Sequence, residues 1–79
     1  MEISPNPAHD IITISVLTSE TKGNVEMYSV EGKLISSWQV DMNYGNLVTL
    51  TLPADCPKGY YLIRFIGETT NRTEKLLIE

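Results

Sequence analysis

Apolar and polar residues alternate along most of this chain, with a period of two rather than 3.6. Within residues 11–18, Ile12, Ile14 and Val16 share one face, and hydroxyl side chains occupy part of the other. β-Branched residues dominate this run, as they do on half-buried pleated surfaces. The pattern therefore predicts a strand with one face in a core.

The same alternation recurs along the chain and predicts an all-β fold. The six predicted strands cover residues 11–18, 25–30, 33–40, 47–52, 60–66 and 73–79. The short piece Glu2–Ser4 adds a seventh strand at an edge, and no stretch has a helical period. Their spacing and short connections predict a small immunoglobulin-like antiparallel β-sandwich of six to seven strands.

Glycine and proline mark the turns between these strands. Gly32 lies between two apolar runs, where a hairpin needs a positive φ. The neighbours Leu34 and Ile35 cannot share a face, so one faces outward or a bulge intervenes. Pro53 ends its strand because proline lacks the N–H of a ladder. Turns are also predicted at residues 19–24, 41–46 and 67–72.

Composition limits the function. The chain has 79 residues, of which 42% are apolar, and this fits a single small domain. Its net charge of −4 makes nucleic acid and anionic membrane surfaces poor partners. No apolar run is long enough to insert into a bilayer. The single cysteine, Cys56, cannot form an intrachain disulfide, and residues 1–4 do not resemble a secretory signal.

The candidate chemical groups do not form a recognisable active site. His9, Cys56 and an aspartate (Asp10, Asp41 or Asp55) formally supply a base, a nucleophile and an orienting group. Their spacing matches no catalytic signature, so we expect no enzyme activity and no cofactor. The cluster of Asp41, Asn43 and Asn46 favours a solvated loop over a cation site.

Carbohydrate binding is a further possibility that the aromatic residues raise. Trp38, Tyr44 and Tyr60 would form a stacking strip if they shared one face, although Trp38 and Tyr61 fit a core better. The sequence Asn71-Arg72-Thr73 matches a glycosylation sequon but is interpreted as a turn. From these patterns alone, the chain is a small non-catalytic β-sandwich whose role stays open.

The order of five short motifs is more specific than any single one. Their sequence is Pro5-Asn6-Pro7-Ala8, then Tyr28-Ser29-Val30-Glu31-Gly32-Lys33, then Leu52-Pro53-Ala54, then Gly59-Tyr60-Tyr61, then Lys75-Leu76-Leu77-Ile78-Glu79. In this order they resemble the C-terminal sorting domain, type A, of the type IX (Por) secretion system of Bacteroidetes. The connection before Gly59 is longer than in the family pattern, and Glu79 stands where a basic residue is common.

The resemblance implies that the domain ends a larger secreted precursor. An N-terminal passenger would reach the periplasm and then cross the outer membrane through the type IX translocon. The passenger would finish at the cell surface or outside the cell, and a sortase-like peptidase would often remove the domain. The cut would lie upstream of Pro5, where Pro5, Asn6 and Pro7 lead into the domain.

The resemblance also suggests which residues the machinery contacts. They are Gly32, Lys33, Gly59, Lys75, Leu76, Leu77, Ile78 and Glu79. The alternative for the two glycines is a purely structural role, in which they supply a positive φ. The last strand would offer unpaired backbone groups at a sheet edge, and an open edge would also allow a homodimer. The alternative function is a C-terminal accessory sandwich of a secreted enzyme, either a carbohydrate-binding module or a fibronectin-III-like spacer.

Overall fold

The computed structural model describes residues 1–42 and 46–79, which form seven β-strands. The strands are β1 (Glu2–Ser4), β2 (Ile11–Ser15), β3 (Lys22–Ser29), β4 (Leu34–Asp41), β5 (Leu47–Thr51), β6 (Gly59–Ile66) and β7 (Asn71–Ile78). No described residue is helical, so no described element is a helix that could span a membrane. The predicted all-β fold and the edge strand at Glu2–Ser4 are confirmed.

The strands form two antiparallel sheets. The three-stranded sheet has the order β1-β2-β5, and the four-stranded sheet has the order β4-β3-β6-β7. The segments β1-β2-β5 and β3-β6-β7 are ordered as A-B-E and C-F-G are in immunoglobulin domains, with β4 beside β3 as C′ lies beside C. This order is consistent with the immunoglobulin-like prediction, which stays a prediction at that level of detail.

One hydrophobic core joins the inner faces of both sheets. The predicted alternation is confirmed on β2, where Ile12 and Ile14 are fully buried, and on β6, where Ile63 and Phe65 are. Trp38 packs against the core but is only half-buried. The buried apolar residues are Ala8, Ile12, Ile14, Val16, Val25, Met27, Val40, Met42, Leu50, Leu52, Tyr61, Ile63, Phe65, Leu76 and Ile78.

The turn between β3 and β4 is the tight hairpin that the sequence predicts. Gly32 has φ +93° and donates its N–H to the Ser29 carbonyl at 3.0 Å. The Ser29 N–H donates in turn to the Lys33 carbonyl at 2.9 Å. The register then shifts between Met27 and Tyr28, so that Ile35 has no opposite residue. A bulge is therefore present, and Leu34 and Ile35 are both exposed.

Several predicted boundaries are wrong: β2 ends at Ser15, three residues before its predicted end, and polar residues predicted to turn continue β3 and β7. β3 begins at Lys22, and Gly23 serves packing rather than a turn: a Cβ on Gly23 would lie 2.6 Å from the Phe65 ring. β7 begins at Asn71, so the sequon lies in a strand. There, the Asn71 Oδ1 accepts a hydrogen bond from Arg64 Nε at 3.1 Å.

Candidate functional site

The exposed residues expected to contact the secretion machinery gather at one end of the four-stranded sheet. The β3–β4 turn brings Gly32 and Lys33 to this end, and Gly59 lies opposite Ile78 at the close of β7. One row inward, Leu34, Tyr28, Leu62 and Lys75 are successive cross-strand neighbours. Strands lie about 4.8 Å apart, so the row is about 14 Å wide. We call the surface that these residues form, together with the cross-strand pair Tyr60 and Leu77, the hairpin end.

Only part of the terminal strand is available to a partner. Lys75 and Leu77 point to the outer face of the sheet, and Glu79 is exposed. Leu76 is fully buried and Ile78 is 4% exposed, so both pack in the core. The expectation that Leu76 and Ile78 contact the machinery directly is therefore wrong for the folded domain. Their role is to anchor the strand that carries Lys75 and Leu77.

The glycines act through their backbone. Gly59 has φ +142° and Gly32 has φ +93°, both in the region that side chains disfavour. A Cβ on either glycine would meet no atom within 4 Å. At Gly59 it is therefore the backbone conformation, and not a close approach of neighbouring atoms, that requires glycine.

An apolar surface at the hairpin end was missed at the level of sequence. Tyr60 is 54% exposed and Leu34 is 50% exposed, with Tyr28 and Leu62 half-buried beside them. The signal was present, because residues 60–66 are apolar on both faces of the strand. A strand at the centre of a one-sided sheet needs an apolar inner face only. The apolar residues on the outer face of this strand are therefore not needed for the core, and they indicate an exposed apolar surface.

Charged groups border this apolar surface. The Lys75 ammonium lies 5.1 Å from the centre of the Tyr60 ring, within the range of a cation–π contact. Glu26 is opposite Arg64 and accepts a hydrogen bond from the Tyr28 hydroxyl. That hydrogen bond, with burial and the nearby carboxylate charge, raises the pKa of Tyr28. The phenol therefore keeps the proton that it donates to Glu26 up to a higher pH than an unperturbed tyrosine would.

Residues 5–9, which we call the leading segment, lie against the end of β7. The Asn6 side chain donates from Nδ2 to the Lys75 carbonyl at 3.2 Å and accepts the Leu77 N–H at Oδ1 at 3.0 Å. The Ala8 N–H donates to the Leu77 carbonyl at 2.8 Å, and the Glu79 N–H donates to the Ala8 carbonyl at 2.9 Å. The peptide bonds preceding both prolines of the segment are cis.

These contacts change the picture of the terminal edge. The outward-facing backbone groups that they occupy are the Lys75 carbonyl, both groups of Leu77 and the Glu79 N–H. The expectation that residues 75–79 offer unpaired backbone groups to a partner is therefore wrong for these four groups. A homodimer through another edge stays a prediction.

The formal catalytic set is not assembled. His9 Nδ1 hydrogen-bonds to the Glu79 backbone oxygen at 2.8 Å. The Cys56 thiol is half-buried, and burial together with the Asp55 charge raises its pKa. A raised pKa lowers the thiolate fraction and hence the reactivity. Within residues 1–42 and 46–79, no group of three acidic, histidine or cysteine side chains is placed to hold a metal ion.

The proposed sugar-stacking strip is not formed. Trp38 is opposite Val25 and faces the core, whereas Tyr60 is opposite Leu77 and faces outward. The two aromatic rings therefore lie on opposite faces of the four-stranded sheet. Tyr44, the third member, and Asn43 of the candidate cation loop lie outside the described residues.

The comparison with protein families agrees with the order of the motifs. A family described as the secretion system C-terminal sorting domain matches residues 2–79, which include all seven strands. No curated protein matches the chain. This family marks proteins that type IX secretion delivers to the cell surface or the extracellular space. The chain belongs to the family of type IX secretion C-terminal sorting domains.

Proposed function

We propose that the type IX translocon recognises this domain in its folded state, at the hairpin end. The observation that carries the proposal is the convergence of Gly32, Lys33, Gly59, Lys75 and Leu77 on one end of one sheet. These residues are up to 45 positions apart in sequence, so an unfolded chain would not present them together. Recognition of this end therefore makes export depend on folding of the domain.

In this proposal the domain carries an N-terminal passenger from the periplasm across the outer membrane. The domain is then the substrate of a sortase-like peptidase and has no catalytic activity of its own. A peptidase needs an extended and accessible segment. Glu2–Ser4 is paired with β2, and Asn6 and Ala8 are bonded to β7. We therefore place the cut before β1 rather than within the leading segment.

The side chains at the hairpin end define the chemistry of the contact. Tyr60 and Leu34 supply exposed apolar area, and Lys75 supplies a positive charge beside it. Exposed apolar patches with a charged border mark protein interaction sites. A partner with apolar side chains and a carboxylate would satisfy both parts of this surface.

One observation supports the accessory-module alternative. Tyr28 and Tyr60 both lie on the outer face, and Tyr60 is 54% exposed, so a sugar ring would have an aromatic surface to stack on. Binding of glycans that is lost in Tyr60→Ala would favour this alternative.

An export assay tests the proposal. The domain is fused behind a fluorescent protein that is targeted to the periplasm of a bacterium with an intact type IX system. The matched strain lacks the translocon, and a second control carries the reporter without the domain. We expect reporter at the surface or in the medium only when both domain and translocon are present. Retention in the periplasm of both strains, with the domain folded, would contradict the proposal.

A further inference from the structure

The leading segment occupies the place of an additional strand beside β7. Its Ala8 forms a parallel bridge with Ile78, and the two Ala8 hydrogen bonds flank that residue. Ala8 itself is fully buried, so the segment is packed into the fold and does not lie loosely on its surface. The segment that follows the passenger is thus joined to the strand that ends the domain.

Asn6 extends this pairing with its side chain. A neighbouring strand would donate an N–H and accept one, and the Asn6 carboxamide does both, to Lys75 and Leu77. The carboxamide therefore replaces one peptide unit of a strand that the chain does not form there. Closure of this part of the edge depends on a single side chain 71 positions away from Leu77 in sequence.

The closure is confined to the end of β7. In an antiparallel pair, every second residue of a strand turns its N–H and C=O groups away from the partner strand. In β7 these residues include Thr73 as well as Lys75 and Leu77. The hydrogen bonds from the leading segment to the outer edge of β7 go to Lys75, Leu77 and Glu79, and at the start of the strand the Asn71 carbonyl accepts one from the side chain of its neighbour Arg72. The closed part of the edge therefore coincides with the part that carries the Lys75 and Leu77 side chains.

We propose that the sorting signal is composite, with Asn6 as a positioning residue that holds the terminal strand closed for recognition. The translocon then contacts the side chains of Lys75 and Leu77 on the outer face and does not add a strand to the edge of β7. This inference rests on the proposed function. Strand addition requires a run of free backbone groups, and the Lys75 carbonyl, both groups of Leu77 and the Glu79 N–H are occupied from within the chain.

Amide hydrogen exchange and export of the fluorescent fusion test the inference together. Asn6→Ala removes both bonds, whereas Asn6→Asp keeps an acceptor for the Leu77 N–H and loses the donor to Lys75. We expect the Leu77 amide to exchange about tenfold faster in Asn6→Ala and nearly as in the wild type in Asn6→Asp. The Thr73 amide should exchange equally in all three proteins.

Export should follow the protection of Leu77. We expect Asn6→Ala to lower export by about tenfold with the domain still folded, and Asn6→Asp to retain most of it. The matched control is Thr18→Ala, which loses hydrogen bonds to Thr70 and Glu20 at the other end of β7. This control should be exported as the wild type is.

Four results would overturn the inference. Higher export of Asn6→Ala would show that a free edge is preferred, as strand addition requires. Wild-type export of Asn6→Ala, or unchanged exchange at Leu77, would show that Asn6 does not position the signal. An equal loss of export in Thr18→Ala would show that export falls because the domain is less stable, wherever the hydrogen bonds are removed. Failure of the wild-type fusion to leave the periplasm would instead contradict the proposed function itself.

Discussion

At the scale of single residues, glycines serve two different physical purposes in this fold. Gly32 and Gly59 have positive φ and open space where a side chain would stand. Gly23 has no such conformation, but a Cβ there would lie 2.6 Å from the Phe65 ring. Gly32 and Gly59 are therefore required for their backbone conformation, whereas Gly23 is required because a larger side chain would not fit.

This difference predicts distinct effects of substitution. Gly59→Ala should lower the free energy of unfolding by about 1–3 kcal/mol, because φ +142° strains any residue with a Cβ. Gly32→Asn should cost less, since asparagine tolerates positive φ better than other residues do. Urea unfolding followed by circular dichroism measures both variants. Wild-type stability of Gly59→Ala would contradict this account of the turn.

The strands were predictable because the alternation of apolar and polar residues is a local pattern within each of them. Alternation alone placed Ile12 and Ile14 on one inner face, whereas in residues 60–66 both faces are apolar and alternation could only group Ile63 with Phe65. The packing of Gly23 under Phe65 was not predictable, because it depends on how the strands that carry these two residues, 42 positions apart in sequence, are aligned. The same applies to Leu76 and Ile78, whose burial conflicts with the contact role assigned to them from the family motif.

At the scale of elements, Glu20 ties the β6–β7 turn to the segment before β3. Its carboxylate accepts the N–H groups of Thr69 and Thr70, each at 3.0 Å. Partial burial would raise the pKa of Glu20, but the hydrogen bonds from Thr70, Thr69 and Glu68 outweigh it and hold the pKa below its ordinary value of 4.5. The ionised carboxylate is thus the form that the folded protein favours.

The lowered pKa predicts how stability depends on pH. A group with a lowered pKa in the folded state stabilises the fold above its unfolded pKa, and this contribution is lost as pH falls through the folded pKa. The wild type should therefore exceed Glu20→Gln in stability at pH 7, and the difference should shrink below about pH 4.5. Thermal unfolding of both proteins across this range measures it. A difference that stays constant with pH would contradict the assignment.

The closed edge of β7 is the element that sequence reasoning could not supply. The Pro5-Asn6-Pro7 motif and the terminal strand were both identified, but as separate features at opposite ends of the chain. No local pattern connects residues about 70 positions apart, and only the fold places the Asn6 carboxamide against Leu77. Side-chain pairing with a strand edge leaves no periodic signal.

At the scale of the whole molecule, the terminal strand that we propose as part of the signal is also part of the core. Deletion of residues 75–79 removes Leu76 and Ile78, and loss of each buried side chain costs about 2–5 kcal/mol. A domain of this size has about 4–12 kcal/mol of total stability. We therefore expect the truncated domain to unfold, which circular dichroism would show as loss of the β-sheet spectrum. A folded truncated domain would contradict this packing.

Recognition must consequently be tested with surface substitutions that leave the core intact. Lys75 and Lys22 make a matched pair, since both are exposed lysines on the outer face of the four-stranded sheet. Lys75 lies at the hairpin end beside Tyr60, whereas Lys22 begins β3 at the opposite end. The same change of charge at the two positions separates a local contact from net charge.

The most direct test of the account is export of the fluorescent fusion carrying Lys75→Glu or Lys22→Glu, in strains with and without the translocon. Folding of both variants is checked by circular dichroism. We predict that Lys75→Glu lowers translocon-dependent export by about tenfold, as expected for the loss of a charged contact, and that Lys22→Glu is exported as the wild type is. Equal export of the two variants would contradict recognition at the hairpin end.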